Sequence, residues 1–429
     1  MFRSYLATYR GVKHFMEKWK KYCYEHSIDL MVFAYLIYNL LINRAHSIYG
    51  YINGCYVIDY SYGFGSRLVI GSLMHLLFGD VVGASQAYAF VLVSLVVLSA
   101  LLAMVAGTVY RKATDKNVRT AIVFLVVFYL FSPASPEYLW TAENYGRLDT
   151  YLYIDTLLIV LIALKIKNEN IRYGLYLLIG LLAIATHQIY IFLFFPALFI
   201  ILVYDLWNKK FSRKNIILFL EIIVILCAAF LYMQLFSGVY YTDLDSLMAE
   251  LNRHADFQVD PGTMETEYFW GFKDHIIRNM LPEVSHHLKY GFILMSMLIP
   301  VWGTYIWIWY HTHKSAEDRV EKWKYRLMML SILAYVPVFA FMTDWGRWFA
   351  AMFSVCLINV LVLAGKQDKG MTNALSKLGQ NISKYLPVFC MFALYISTFE
   401  KFEGLNFPEQ ATLFYYQMYD IKMWFLGLL

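Results

Sequence analysis

Apolar residues in this chain come in long unbroken runs, one after another, and that constrains its fold more than any motif. The runs cover 28–45, 85–110, 119–137, 149–166, 172–187, 189–207, 215–236, 291–311, 327–343, 347–364 and 386–400. Most are about as long as a helix needs to cross roughly 30 Å of hydrocarbon. A further stretch, 412–429, is borderline because it contains Asp420 and Lys422. Of the 429 residues, 60% are hydrophobic and 16% charged, where a soluble chain would be near a quarter charged. The expected fold is all-α: a polytopic transmembrane bundle of about 11–12 helices forming a single membrane domain over 1–429. Lipid-facing irregular backbone is excluded, because the bilayer offers it no hydrogen bonds.

The basic residues give an orientation. With the N-terminus inside, segments 1–27, 111–119, 165–172, 208–214, 312–326 and 365–385 hold 26 of the 36 Lys and Arg. Residues 1–27 then form a retained cytoplasmic tail, since no small-residue cleavage site follows the first apolar run. The scheme requires that "RLVIGSLMHLLFGD" (67–80) does not cross; at 14 residues it reads as an interfacial helix. The outer face then carries a first loop, 46–84, a short loop, 138–148, a long loop, 237–290, and the tight "TDWGRW". The long loop contains the amphipathic stretch "DLDSLMAELNRHADF". The net charge of +5 is spread between apolar runs and is no nucleic-acid signature. The five cysteines are scattered and imply no disulfide framework.

Nine polar residues fall at the outer ends of the helices: Asp59, Arg67, Glu143, Arg147, Asp149, His187, Gln188, Asp344 and Arg347. Such groups are costly at membrane depth and face one another or a water-filled cavity. Asp149 and Asp344 read either as local ion-pair partners closing helix ends or as supports of a site. Arg67, Arg147 and Arg347 are candidate phosphate ligands, since a guanidinium fork matches phosphate oxygens. His187, in "ATHQIYIFLFFPAL", is either a helix-end hydrogen-bonding group or a proton-transfer group supported by Gln188. Asp59, in "VIDYSYGFGSRLVIGSL", is either a turn-forming acid or a general base, with Glu143 as rival. Asp155 and Glu221 lie deeper. The pairs "HTH" and "SHH" lack further ligands at metal spacing, so no cofactor is expected, and a divalent metal is left open without being indicated. No phosphate-cradling glycine loop or nucleophile elbow is present.

With these residues in place the chain resembles polytopic glycosyltransferases of the GT-C type and the related Wzy- and EpsG-like bacterial polysaccharide polymerases. The likeness rests on an acid in the first external loop (Asp59), a membrane-parallel helix after it (67–80), external arginines, and an outer-end His before an apolar stretch and a proline ("HQIYIFLFFP"). It covers the architecture of nearly the whole chain. Two departures are the single acid in the first loop and the lack of a large soluble C-terminal domain. The resemblance implies an enzyme that moves a sugar or oligosaccharide from a polyprenyl (di)phosphate carrier to a glycan acceptor. Its setting would be the outer face of a bacterial cytoplasmic membrane, within surface-polysaccharide synthesis. Asp59 would be the base, while the arginines and His187 would neutralise the leaving phosphate. The expected partners are the lipid-linked donor, the acceptor and the bilayer. The alternative is a flippase or other multi-pass transporter, which would need midplane charges and inverted repeats.

Overall fold

The computed structural model describes Tyr22 and residues 25–341, 343–403 and 409–426. Helices dominate: α1 Ser27–Asn43, α2 Val69–Phe78, α3 Ala84–Lys112, α4 Lys116–Phe131, α5 Asp149–Lys165, α6 Glu169–Thr186, α7 Phe195–Asn208 and α8 Arg213–Phe236. After them come α9 Leu244–Arg253, α10 Leu281–Met297, α11 Ile299–Lys314, α12 Arg319–Leu330, α13 Trp345–Gly365, α14 Lys369–Lys384, α15 Leu386–Ser397 and α16 Glu409–Phe425. Many start where short polar side chains take up free amides. Asp115, Asn168, Ser212, Asp243, Asp318 and Asp368 each accept a bond from the first turn of the helix that follows.

All eleven apolar runs are helical, but several are broken. The run 189–207 opens with one turn, Tyr190–Leu193, and restarts at Phe195. The run 291–311 bends by 67° between Gly291–Met297 and Ile299–Lys314. The run 327–343 divides into the end of α12, a tight turn Ser331–Tyr335 and the short helix Val336–Phe341. Each restart carries a proline in its first turn (Pro196, Pro300, Pro337), where its missing amide costs no helical bond. By length and composition, four helices among the described residues are able to cross a membrane, or five if the bent pair counts as one span.

Helix α13 is the hub. Of its most apolar stretch 94% is buried, against 11% for α8, whose Leu220, Val224, Leu231 and Leu235 are exposed. The expected cytoplasmic loop 365–385 is largely the amphipathic α14, with Met371, Ala374, Leu375, Leu378 and Ile382 buried. It lies so close to α4 that a Cβ on Gly379 would sit 1.9 Å from the Asn117 carbonyl oxygen.

The first and third loops fold onto each other. Gly63–Phe64 and Gly238–Val239 pair as antiparallel strands. The Asn53 amide donates to the Gln258 carbonyl (2.9 Å), and Tyr51 bonds Thr266 through their hydroxyls (2.8 Å). We call this the loop end of the bundle. The opposite, basic end is tied by the half-buried pair Arg111–Asp29 and by the more deeply buried Arg172–Asp205–Lys366 and Lys324–Asp368.

Candidate functional site

Arg147 and Arg347 lie 200 positions apart in the chain and converge at the loop end. Arg347, in the first turn of α13, makes a two-pronged contact with Asp149, the first residue of α5: Nε to Oδ2 at 2.8 Å and Nη2 to Oδ1 at 3.1 Å. Its Nη1 also donates to Asp344. Arg147 reaches the same Asp344 oxygen through Nη1 at 3.4 Å. The local pair of "DWGRW" forms, Asp344 with Arg347, while the two charges of "GRLD" pair outward: Asp149 takes Arg347 and Arg147 reaches Asp344. This joins the start of α5 to the start of α13.

The backbone at Arg147 is set by Gly146. It has φ +90°, and a Cβ there would lie 2.9 Å from Ile48 Cγ2. The Gly146 carbonyl accepts a 2.6 Å bond from the Tyr56 hydroxyl. Arg147 Nε donates to the Glu143 carbonyl (2.9 Å), and its guanidinium lies 5.1 Å over the Tyr49 ring.

Arg67 joins from the first loop. It is a non-glycine residue at φ 72°, a conformation that costs energy and must be held by its surroundings. Its amide donates to the Ala185 carbonyl near the end of α6 (3.0 Å), and Nη2 pairs with Glu267 at 2.7 Å. Glu267 also accepts from Gln188 Nε2 (2.8 Å), while Gln188 Oε1 accepts from the Ser66 hydroxyl and faces His187 Nδ1 at 3.3 Å. The charges of Arg67, Arg347 and Arg147 all bear on the His187 ring.

Three arginines thus meet three carboxylates, but unequally. Burial works against the Arg67 charge most strongly, yet Glu267 together with Cys55, Tyr51 and Tyr268 holds the guanidinium above its ordinary value. Arg147 goes the other way: burial first, then the Arg347 charge, push it down, and Asp344 and Asp149 offset this only in part. It stays charged near neutral pH and is the least compensated cation here. Several polar atoms of this region are buried without a protein partner, among them Arg67 Nε, Tyr138 Oη, Thr150 Oγ1 and Trp348 Nε1.

Asp59 does not join this group. Its Oδ1 accepts from the amide (2.8 Å) and hydroxyl of Ser61, closing its own turn, and its other oxygen lies 3.9 Å from His75 Nε2. No ion pair or hydrogen bond links it to the three arginines, so the turn-forming reading describes its geometry. Glu143 lies beside the cluster, where its charge bears on Tyr49 and Glu403. Glu267 was not singled out from the sequence. Its signal was faint, one of two acids in "METEYFW" inside the long loop. Two clefts, one bordered by Leu288, Phe292 and Met418 and one by Phe195, Phe199 and Leu330, lie away from the cluster. Among the described residues no three His, Cys, Asp or Glu side chains gather as metal ligands.

No family model, curated protein or solved structure matches the chain.

Proposed function

We propose that the chain is a multi-pass membrane enzyme that transfers a sugar or oligosaccharide from a polyprenyl (di)phosphate carrier to a glycan acceptor. The chemistry would take place at the loop end, on the outer face of the membrane, in surface-polysaccharide synthesis. The observation that carries the reading is Arg147, which reaches Asp344 only at 3.4 Å and shares that oxygen with Arg347 at the convergence of α5 and α13. Its fork suits the phosphate where negative charge develops as the sugar leaves. A half-lipid, half-anion donor also accounts for guanidinium groups at the lip of apolar helices. Crossing of the bilayer by the full set of helices belongs to this proposal; the exposed apolar face of α8 supports it.

The resemblance placed the base at Asp59; its carboxylate closes its own turn with Ser61, and a second candidate for the base is argued below. The test is transfer from a lipid-linked glycan in membranes at controlled expression. Wild-type chain should extend or glycosylate the acceptor, and Arg147→Ala should not. Movement of the lipid-linked glycan across the bilayer without any new glycosidic bond would replace this reading with the transporter.

Orientation is checked by impermeant thiol labelling at two exposed positions, Arg253→Cys and Lys369→Cys. Intact cells should label the first alone. Labelling of the second alone would invert the topology.

A further inference from the structure

The acids at the loop end are mostly engaged. Asp149 and Asp344 hold Arg347, Glu267 holds Arg67, Glu137 holds Lys401 at 3.3 Å, and Asp59 closes its own turn. Asp155 is different. It lies on α5 six positions beyond Asp149, about 9 Å further in at 1.5 Å per residue. It is 7% exposed and has neither an ion pair nor a hydrogen bond among the described residues. A carboxyl buried this way costs stability, so packing alone gives no reason for it.

Its surroundings are not apolar throughout. Between His187 and Phe195 the chain leaves regular helix, and this break faces α5: Phe194 stacks on Tyr153 with ring centroids 5.6 Å apart. Tyr190, in the break, donates its amide to the His187 carbonyl at 3.0 Å. The Tyr190 hydroxyl is fully buried without a partner, and the charge of Asp155 bears on it. The break carrying the unengaged Tyr190 hydroxyl thus packs on α5 two residues before the unengaged Asp155, one turn beyond His187. Irregular backbone at such depth is tolerated where it is buried in protein or lines a water-filled cavity.

We propose that Asp155 is the base that takes the proton from the acceptor hydroxyl, and that the Tyr190 hydroxyl holds the same oxygen. This rests on the glycosyl-transfer reading. The acceptor O–H proton passes to the Asp155 carboxylate as that oxygen bonds the anomeric carbon. The carbon–oxygen bond to phosphate breaks, and its electron pair stays on the phosphate oxygen, facing Arg147. Asp155 then releases the proton to water. Asp149 and Asp344 already hold Arg347, whereas Asp155 holds no cation among the described residues, so its oxygens are the ones left to take a proton.

The experiment measures turnover, donor binding and thermal stability of Asp155→Asn, Asp155→Leu and Tyr190→Phe in lipid nanodiscs, with a polyprenyl-diphosphate-linked glycan as donor. Both Asp155 variants should lose about 100-fold or more in kcat. They should bind donor within about twofold of wild type and melt no lower, since no partner is lost. Tyr190→Phe should lose about 10-fold in kcat with donor binding kept. If Asp155→Asn keeps turnover within about threefold while Arg147→Ala loses donor binding, the assignment is overturned and the transfer reading stands. If both Asp155 variants melt clearly lower, the carboxyl is structural and the assignment is likewise overturned. Unchanged turnover and binding in every variant, Arg147→Ala included, would overturn both.

Discussion

At the basic end, Asp205 takes Lys366 on one oxygen at 2.8 Å and Arg172 on the other at 2.9 Å. Asp368 beside it is closed by Lys324 at 2.6 Å, the Tyr325 hydroxyl at 2.7 Å and the Met371 amide at 3.0 Å. At the loop end, Arg147 reaches Asp344 at 3.4 Å and shares it with Arg347, while Asp155 has no partner among the described residues. Both ends bury arginines and aspartates. The difference lies in how completely each group is satisfied. Saturated pairs hold helices together, and under-satisfied groups at one place are better explained by a ligand. The division is not wholly by end: Arg172 Nε is unpartnered, and Arg347 is as firmly held as any group at the basic end.

The largest expected effect follows from that. Asp205→Ala strands Lys366 and Arg172, and Arg347→Ala strands Asp149. Each should cost about 3–5 kcal/mol of stability, read by thermal or denaturant unfolding in detergent. A small loss in either would mean that the short contacts do not hold the fold, and the comparison would fail at its firm side.

Next comes Arg147→Lys. An ammonium keeps the charge but not the fork, so donor affinity should fall several-fold, by about 1 kcal/mol, with stability nearly unchanged. A stability loss matching that of Arg347→Ala would place Arg147 among the structural pairs.

The smallest effect is expected at Asp59. Asp59→Asn keeps an acceptor for the Ser61 amide and should change stability by less than about 1 kcal/mol, with turnover close to wild type. Loss of turnover with donor binding intact would return the base to the first loop and sharpen the comparison against Asp155.

Much of this was legible in the sequence. Helices follow from the apolar runs, and the polar residues at their ends were visible because hydrocarbon makes such groups expensive. The breaks were less legible. Pro196 and Pro300 marked two of them, but a proline within the first turn of a restarted helix looks, in sequence, like one within a continuous span. The amphipathic α14 was read as a loop because its charged face masked the buried one. At the site, the grouping of Arg147, Arg347, Asp149 and Asp344 was anticipated, but the pairing between the two segments was not. Partners nearly 200 residues apart leave no local spacing to read. Glu267 was missed for the same reason, since its tie to Arg67 depends on how the long loop folds back. Asp59 drew attention by its place before a Tyr/Gly turn and an interfacial helix, and its turn with Ser61 uses a common local geometry that sequence cannot distinguish from a catalytic posture.

The central claim is that the loop end receives an anionic lipid-linked donor through Arg147. Titration of a polyprenyl-diphosphate-linked glycan into nanodiscs carrying wild type or Arg147→Ala tests it most directly. Loss of one charge-assisted contact should weaken binding by about 10- to 100-fold, with a smaller loss of stability than Arg347→Ala shows. Equal affinity of the two proteins would contradict the account.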